Sequence, residues 1–103
     1  MNGKKYEIEM APACHRIYKK YDESLKGKIK EESKKIATSP YSAKHLSHPL
    51  KGIYSYSFHY KNSEYRIAYR VNEEKKLVEI VLVKSRENFY AVLKRMLINP
   101  SGV

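Results

Sequence analysis

The alternation of apolar and polar residues along the chain predicts a series of strands and helices. Three segments alternate with a period of two, which is typical of half-buried strands: 5–10, 53–60 and 64–71. A largely apolar run at 77–83 predicts a central strand. Apolar residues recur at helical spacing in three other segments: one that begins near Pro12, one that follows Asp22 and continues to about Thr38, and one at 87–97. The predicted order is β-α-α-β-β-β-α.

Short polar turns at 61–63 and 72–76 connect the last three predicted strands and indicate an antiparallel meander. We therefore expect an α+β fold: a small antiparallel β-sheet meander with two N-terminal helices and one C-terminal helix, all packed on one face. The helices would bury the aromatic side of the hairpin strands and leave the opposite face open. That open face carries Ser57, His59, Arg66 and Arg70. At this length we expect residues 1–103 to form a single domain.

The segment from Pro40 to Gly52 has no apolar periodicity. Irregular segments of this length are often functional rather than simple connections. This one contains His45 and His48, but no cysteine or carboxylate accompanies them at the spacing of a metal site. We expect neither a metal nor a cofactor.

The composition adds a strong positive charge to this picture. Lysine and arginine number 21 against 11 aspartate and glutamate residues, which gives a formal net charge of +10. Such an excess attracts phosphate polyanions or an acidic protein, although solubility alone would also account for it. The single cysteine, Cys14, rules out an intramolecular disulfide and falls on an apolar helical stripe. No signal peptide and no membrane-length apolar run is evident, so we expect a cytosolic protein without membrane contact.

The open face supplies side chains that can bind and cleave phosphodiesters. Arg66 has a planar guanidinium that can contact two phosphate oxygens; alternatively, it pairs with Glu64 or Glu79. Arg86 lies where the last helix is predicted to begin, and a cation is unfavourable there unless an anion binds beside it. Because histidine titrates near neutral pH, His59 is the candidate general acid or base; alternatively, it is an exposed histidine without a role.

These groups suit the metal-free cleavage of RNA, in which the 2′-hydroxyl of the RNA attacks the neighbouring phosphate. The reaction requires a base at the 2′-hydroxyl, cations around the pentavalent phosphorane and an acid at the leaving 5′-oxygen. DNA lacks the 2′-hydroxyl and would be inert. The side chains therefore indicate RNA as the substrate class.

Three motifs in the second half of the chain resemble those of the RelE/ParE superfamily of bacterial toxins. The first is Leu50-Lys51-Gly52, which precedes the hairpin. The second is Tyr65-Arg66-Ile67-Ala68-Tyr69, on a predicted strand. The third is an apolar strand followed by arginine and, four residues later, tyrosine, at Arg86 and Tyr90. About half of the chain carries these motifs, and the predicted order of elements extends the resemblance over the remainder.

The resemblance implies a RelE-like messenger RNA interferase from a type II toxin–antitoxin system. Such a toxin enters the ribosomal A site, cleaves the message there by 2′-hydroxyl attack and is held inactive by a cognate antitoxin. Arg66 matches the strand arginine that stabilises the phosphate. Arg86 matches the arginine that acts as the acid or stabilises the leaving group, and Tyr90 matches the tyrosine that contacts the substrate base. The expected partners are messenger RNA, the ribosome and an antitoxin, which the charge of this chain predicts to be acidic.

The sequence departs from RelE on the strand before the arginine, where RelE has two lysines. Ser57 and His59 occupy those places here. The general base would then be His59 or a lysine. Four other cations are expected to support the charge and to bind RNA: Lys51, Lys61, Arg70 and Lys84.

Two other functions remain open for this fold and composition. One is a ParE-like toxin that inhibits gyrase, for which no acid–base set is needed. The other is a noncatalytic protein that binds RNA or the ribosome. The occurrence of Arg66, Arg86, Tyr90 and His59 together favours the endoribonuclease.

Overall fold

The computed structural model describes residues 5–98, and its helices and strands confirm the predicted α+β class. The elements in chain order are β1 (Glu7–Met10), α1 (Pro12–Tyr18), α2 (Glu23–Thr38), β2 (Lys44–His45), β3 (Tyr54–Tyr60), β4 (Ser63–Asn72), β5 (Leu77–Ser85) and α3 (Phe89–Ile98). Local sequence accounts for two of the boundaries: Pro12 stands in the first turn of α1, and the Asp22 side chain caps α2 by accepting from the Leu25 N–H at 2.8 Å. Residues 1–4 and 99–103, which the single-domain prediction includes, lie outside the described part.

The sheet has the strand order β1-β5-β4-β3-β2. Strands β3, β4 and β5 form the predicted antiparallel meander. The β3–β4 hairpin closes through Lys61 and Asn62, whose φ angles of 48° and 66° give the mirror-image turn that fits strand twist. Strand β1 pairs in parallel with β5, so the sheet is mixed, and the two-residue strand β2 lies within the segment expected to be irregular. Alternation along a strand does not specify its partner, which is why neither pairing followed from the pattern.

The aromatic side of the hairpin is buried, as predicted. Helix α2 lies against it, and Cys14 of α1 joins the same core. The completely buried side chains of this core include Cys14, Ile67, Tyr69, Val78, Ile80 and Val83. The sheet is thereby a rigid support for whatever the opposite face carries.

The prediction that all helices pack on one face is wrong, because α3 covers part of the opposite face. Its Phe89 and Leu93 pack with segment 46–53 on apolar residues of that face, Ala68, Val81 and Leu82. A bulge in the β4–β5 ladder next to Ala68 accompanies this packing. The physical reason is that Ala68 and Leu82 interrupt the polar face with apolar surface that needs a cover. The end of the face near the β3–β4 hairpin, which carries Arg66, stays open.

Candidate functional site

Arg66 is held on two sides in the middle of β4. Its Nε donates to Glu64 Oε2 at 3.0 Å, and its guanidinium carbon lies 5.1 Å from the centroid of the Tyr90 ring. The Arg66 side chain is only 22% exposed. A guanidinium fixed by a carboxylate and an aromatic ring is preorganised, which lowers the entropy lost when it binds a ligand.

Glu64 connects the two arginines that the sequence singled out. Its second carboxylate oxygen, Oε1, lies 3.8 Å from Nη1 of Arg86. The hydrogen bond from Arg66 lowers the pKa of Glu64, and the Ser57 hydroxyl and the charge of Arg86 act in the same direction. Glu64 is therefore an ionised carboxylate between two guanidinium groups. Sequence reasoning considered it only as an ion-pair partner, although its position two residues before Arg66 places both side chains on one face.

Arg86 lies in the turn between β5 and α3, three residues before the helix rather than at its start. Its backbone N–H donates to the Glu64 carbonyl at 2.9 Å, and its carbonyl accepts from the Phe89 N–H at 3.2 Å. The side chain is 65% exposed. The backbone of Arg86 is thus fixed to β4 while its guanidinium remains accessible to a ligand.

Tyr90 reaches the site from the first turn of α3. Its ring packs edge-on against the buried Phe89 with a centroid distance of 5.4 Å, and its hydroxyl lies 3.4 Å from Ser55 Oγ. Tyr90 is half-buried. Because Phe89 is buried between α3 and the sheet, the ring is held beside Arg66 by the packing of α3.

The sheet register brings His59 and Lys84 to the same open end. Arg66 is paired with Ser57 on one side and Lys84 on the other, and His59 is paired with Glu64. His59 is exposed and lines an open pocket of about 460 Å³ together with Asn62, Ser63, Glu64, Ser85, Arg86 and Glu87. The Lys84 ammonium donates to the carbonyls of Ser85 and Glu87 and thereby also stabilises the turn that carries Arg86.

The other predicted cations do not converge on this pocket. Arg70 lies further along β4, beyond the covered Ala68, and its Nε pairs with Glu79 Oε1 at 2.9 Å. Lys61 lies in the hairpin turn with its ammonium 5.3 Å from the Tyr60 ring centroid, and Lys51 lies exposed in the turn before β3. None of these three is among the described residues that line the pocket of His59 and Arg86.

Cys14 and His45 carry reactive side chains, but the contacts of both serve the fold. Burial raises the pKa of Cys14 to about 12, so its thiol stays protonated at physiological pH. The Nε2 atom of His45 accepts from the Gly52 N–H at 3.1 Å. Within the described range, no three side chains of histidine, cysteine, aspartate or glutamate come together as a metal site would require. None of the helices in this range combines the length and apolar character needed to cross a membrane.

A family model of ParE-like toxins of type II bacterial toxin–antitoxin systems matches residues 8–94. The chain belongs to this family. The RelE/ParE resemblance that its motifs indicated is thereby confirmed. No curated protein matches the sequence significantly.

Solved toxin structures share the fold of this ParE-like toxin. A double arginine-to-alanine mutant of the E. coli RelE toxin in the free state aligns with a TM-score of 0.71 and 20% identity, over 91% of this chain and 100% of that one. The toxin–antitoxin complex RelBE2 from Mycobacterium tuberculosis aligns with a TM-score of 0.67 and 23% identity, over 80% and 92%. The intact E. coli RelBE toxin–antitoxin complex aligns with a TM-score of 0.65 and 20% identity, over 80% of this chain and 98% of that one.

Proposed function

We propose that this ParE-like toxin is an endoribonuclease that cleaves messenger RNA in the ribosomal A site by metal-free 2′-hydroxyl attack and so inhibits translation. The observation that carries the proposal is the fixed Arg66 guanidinium, held by Glu64 and Tyr90 next to Arg86. A toxin that only binds gyrase has no requirement for two arginines, a histidine and an aromatic ring grouped around one carboxylate and its neighbours at one end of the sheet. The same groups have distinct tasks in RNA cleavage.

In the proposed reaction, the 2′-oxygen forms a bond to phosphorus while the bond from phosphorus to the 5′-oxygen breaks. The products are a 2′,3′-cyclic phosphate and a 5′-hydroxyl. Arg66 contacts the equatorial phosphate oxygens in place of the Glu64 carboxylate and stabilises the charge of the phosphorane. Arg86, exposed at the rim, stabilises the leaving 5′-oxygen or protonates it. Tyr90 stacks on a substrate base.

The general base is His59 or Lys84, which lie on either side of Arg66 in the sheet. A weaker case exists for Glu64, because its lowered pKa makes it a poor proton acceptor at neutral pH. Glu64 instead keeps the two guanidinium groups together before the RNA arrives. His59 faces the pocket from the strand that pairs with β4, whereas the Lys84 ammonium is already bound to two carbonyls. We therefore assign the base to His59.

We also propose a cognate antitoxin of acidic character as the protein partner, and the cytosol as the place where both act. The structures named RelBE contain a toxin and its antitoxin, and the net charge of +10 on this chain favours an acidic partner.

The decisive experiment is to express the toxin in bacteria, map the 5′ ends of messenger RNAs and assay gyrase supercoiling in parallel. We expect new 5′ ends in phase with codons and unchanged gyrase activity. Gyrase inhibition with intact messages would replace the proposal by a gyrase-inhibiting toxin of the same fold. Ribosome binding without cleavage or gyrase inhibition would identify a noncatalytic binding protein.

Single-turnover cleavage tests the base. With ribosome-bound message as substrate, His59→Gln should cut more slowly by about 100-fold or more. His15→Gln, on the exposed side of α1, is the matched control and should cut at the wild-type rate. An unchanged rate in His59→Gln would transfer the role to Lys84.

A further inference from the structure

A second pocket lies on the other side of Tyr90. Tyr90 and Lys94 stand one helical turn apart on α3, so they share a face. Opposite them runs the segment 44–50, and together they line an open pocket of about 280 Å³. Its lining includes Lys44, Leu46, Leu50, Tyr90 and Lys94. Tyr90 therefore borders both this pocket and the Arg66 guanidinium.

The wall of the second pocket is built into the fold. Leu46 and Leu50 are buried in the core beneath α3. The Leu46 N–H donates to the Ile53 carbonyl at 2.9 Å, and the Ile53 N–H donates to the Leu50 carbonyl at 3.1 Å. Gly52, at a φ of +93° that favours glycine, directs its N–H to His45. The pocket is preformed, so a ligand does not have to order the segment.

The chemistry of this pocket differs from that of the pocket at Arg86. The Arg86 pocket includes two carboxylates, Glu64 and Glu87, whereas the lining of the second pocket has none. Within residues 5–98, neither Lys44 nor Lys94 has a salt-bridge partner. Unpaired ammonium groups beside apolar and aromatic surface are the combination that binds single-stranded nucleic acid, because they serve phosphate and base together.

We propose that this pocket is a second nucleotide subsite, which binds the RNA nucleotide adjoining the cleaved bond on the Tyr90 side. Lys44 and Lys94 contact its phosphate, and the base lies against Leu46, Leu50 and the Tyr90 ring. This inference rests on the proposed ribonuclease function. An RNA strand held at Arg66 must leave that site in some direction, and Tyr90 gives it a continuous aromatic path into the second pocket. An acidic protein segment would have no need for this continuity.

Binding of uncleavable RNA tests the subsite independently of catalysis. The probes are fluorescein-labelled 2′-O-methyl RNAs of two and four nucleotides, and the measurement is fluorescence anisotropy at several salt concentrations. We expect wild type to bind the tetranucleotide more tightly than the dinucleotide. In Lys44→Ala/Lys94→Ala the ratio of the dinucleotide Kd to the tetranucleotide Kd should be about tenfold lower than in wild type. The affinity for the tetranucleotide should also depend less steeply on salt concentration. The control Lys30→Ala/Lys34→Ala removes the same charge from α2 and should behave as wild type.

The outcomes separate the subsite from the catalytic proposal. If Lys44→Ala/Lys94→Ala changes RNA binding no more than Lys30→Ala/Lys34→Ala does, the subsite proposal is wrong, even if wild type cleaves RNA. If length-dependent binding requires Lys44 and Lys94 but wild type cleaves no message, the pocket is an RNA-binding site and the ribonuclease proposal fails. If a hexaglutamate peptide competes through the same lysines while RNA binding is unaffected by their removal, the pocket takes an acidic protein and the inference is overturned.

Discussion

Replacing Arg66 by alanine should abolish growth arrest and lower the rate of RNA cleavage at least about 100-fold, because one preorganised charge donor at a developing anion contributes that much. Arg66→Lys should recover only part of this loss. Lysine keeps the charge, but it lacks the planar group that contacts two oxygens and packs on the Tyr90 ring. The measurements are growth on induction and single-turnover cleavage of ribosome-bound message.

Arg70→Ala is the matched control for this experiment. It removes the same charge from the same strand and the same face, from an exposed pair with Glu79. Pairs of this kind contribute about 0.2–1 kcal/mol to stability, so Arg70→Ala should fold. Because the pair of Arg66 with Glu64 is less exposed, circular dichroism checks the fold of Arg66→Ala. Cleavage in Arg70→Ala should stay within about threefold of wild type, which corresponds to a loss below about 0.7 kcal/mol. Growth arrest by a folded Arg66→Ala toxin would show that the phosphate is bound elsewhere.

Replacing Glu32 by glutamine should lower the free energy of unfolding at pH 7 by about 1–3 kcal/mol, the usual cost of breaking a buried polar network. Glu32 lies on the inner side of α2 with its side chain only 4% exposed. The Tyr56 hydroxyl donates to Oε1 at 2.5 Å, and the ammonium groups of Lys28 and Lys35 lie 3.1 and 3.2 Å from Oε2. Glutamine keeps the size of the side chain but loses the charge that holds these three donors. Urea unfolding followed by circular dichroism measures the difference.

The loss at Glu32 should depend on pH in a defined direction. Burial disfavours the charged form, but the hydrogen bonds from Tyr56, Lys28 and Lys35 outweigh it and lower the pKa of Glu32. A group whose pKa is lower in the folded state stabilises the protein above its unfolded pKa, and this contribution disappears as the pH falls through the folded value. The gap between wild type and Glu32→Gln should therefore close below about pH 4.

Glu31→Gln provides the control for Glu32. Glu31 is the preceding residue on α2 and is exposed, so its replacement should change stability by less than about 0.5 kcal/mol at any pH. A pH-independent loss in Glu32→Gln would mean that packing, and not the ionised carboxylate, holds α2 on the sheet.

Periodicity predicted most of the fold because each amphipathic element carries its own pattern. Strands β3 to β5 and helix α2 were predicted to within about two residues at each end. The pattern could not assign α3 to a face, because its apolar stripe would fit either side of the sheet. The apolar residues Ala68 and Leu82 on the Arg66 face decided it. Ala68 lies between Arg66 and Arg70 in the alternating pattern, so the strand alone reads as having a polar outer face.

In the candidate site too, local alternation predicts some positions, whereas contacts between distant parts of the chain determine the others. Alternation placed Arg66 and His59 on one face, and the structure shows Arg86 and Tyr90 beside them. Their catalytic roles stay predictions. The pattern could not reveal that Glu64 bridges both arginines, nor that Lys84 would bind the turn instead of facing solvent. Those contacts depend on where the β5–α3 turn returns to β4.

The position of Glu64 has a consequence for competition inside the cell. Inorganic phosphate and free nucleotides greatly outnumber any single message, and an uncovered pair of guanidinium groups would bind them. With Glu64 in place, a small anion must displace a carboxylate whose effective concentration is high because it belongs to the same strand. Under the proposed function, an RNA chain bound at several points has the same advantage and can replace the carboxylate. Glu64 would thereby favour binding of the polymer over binding of the monomers from which it is made.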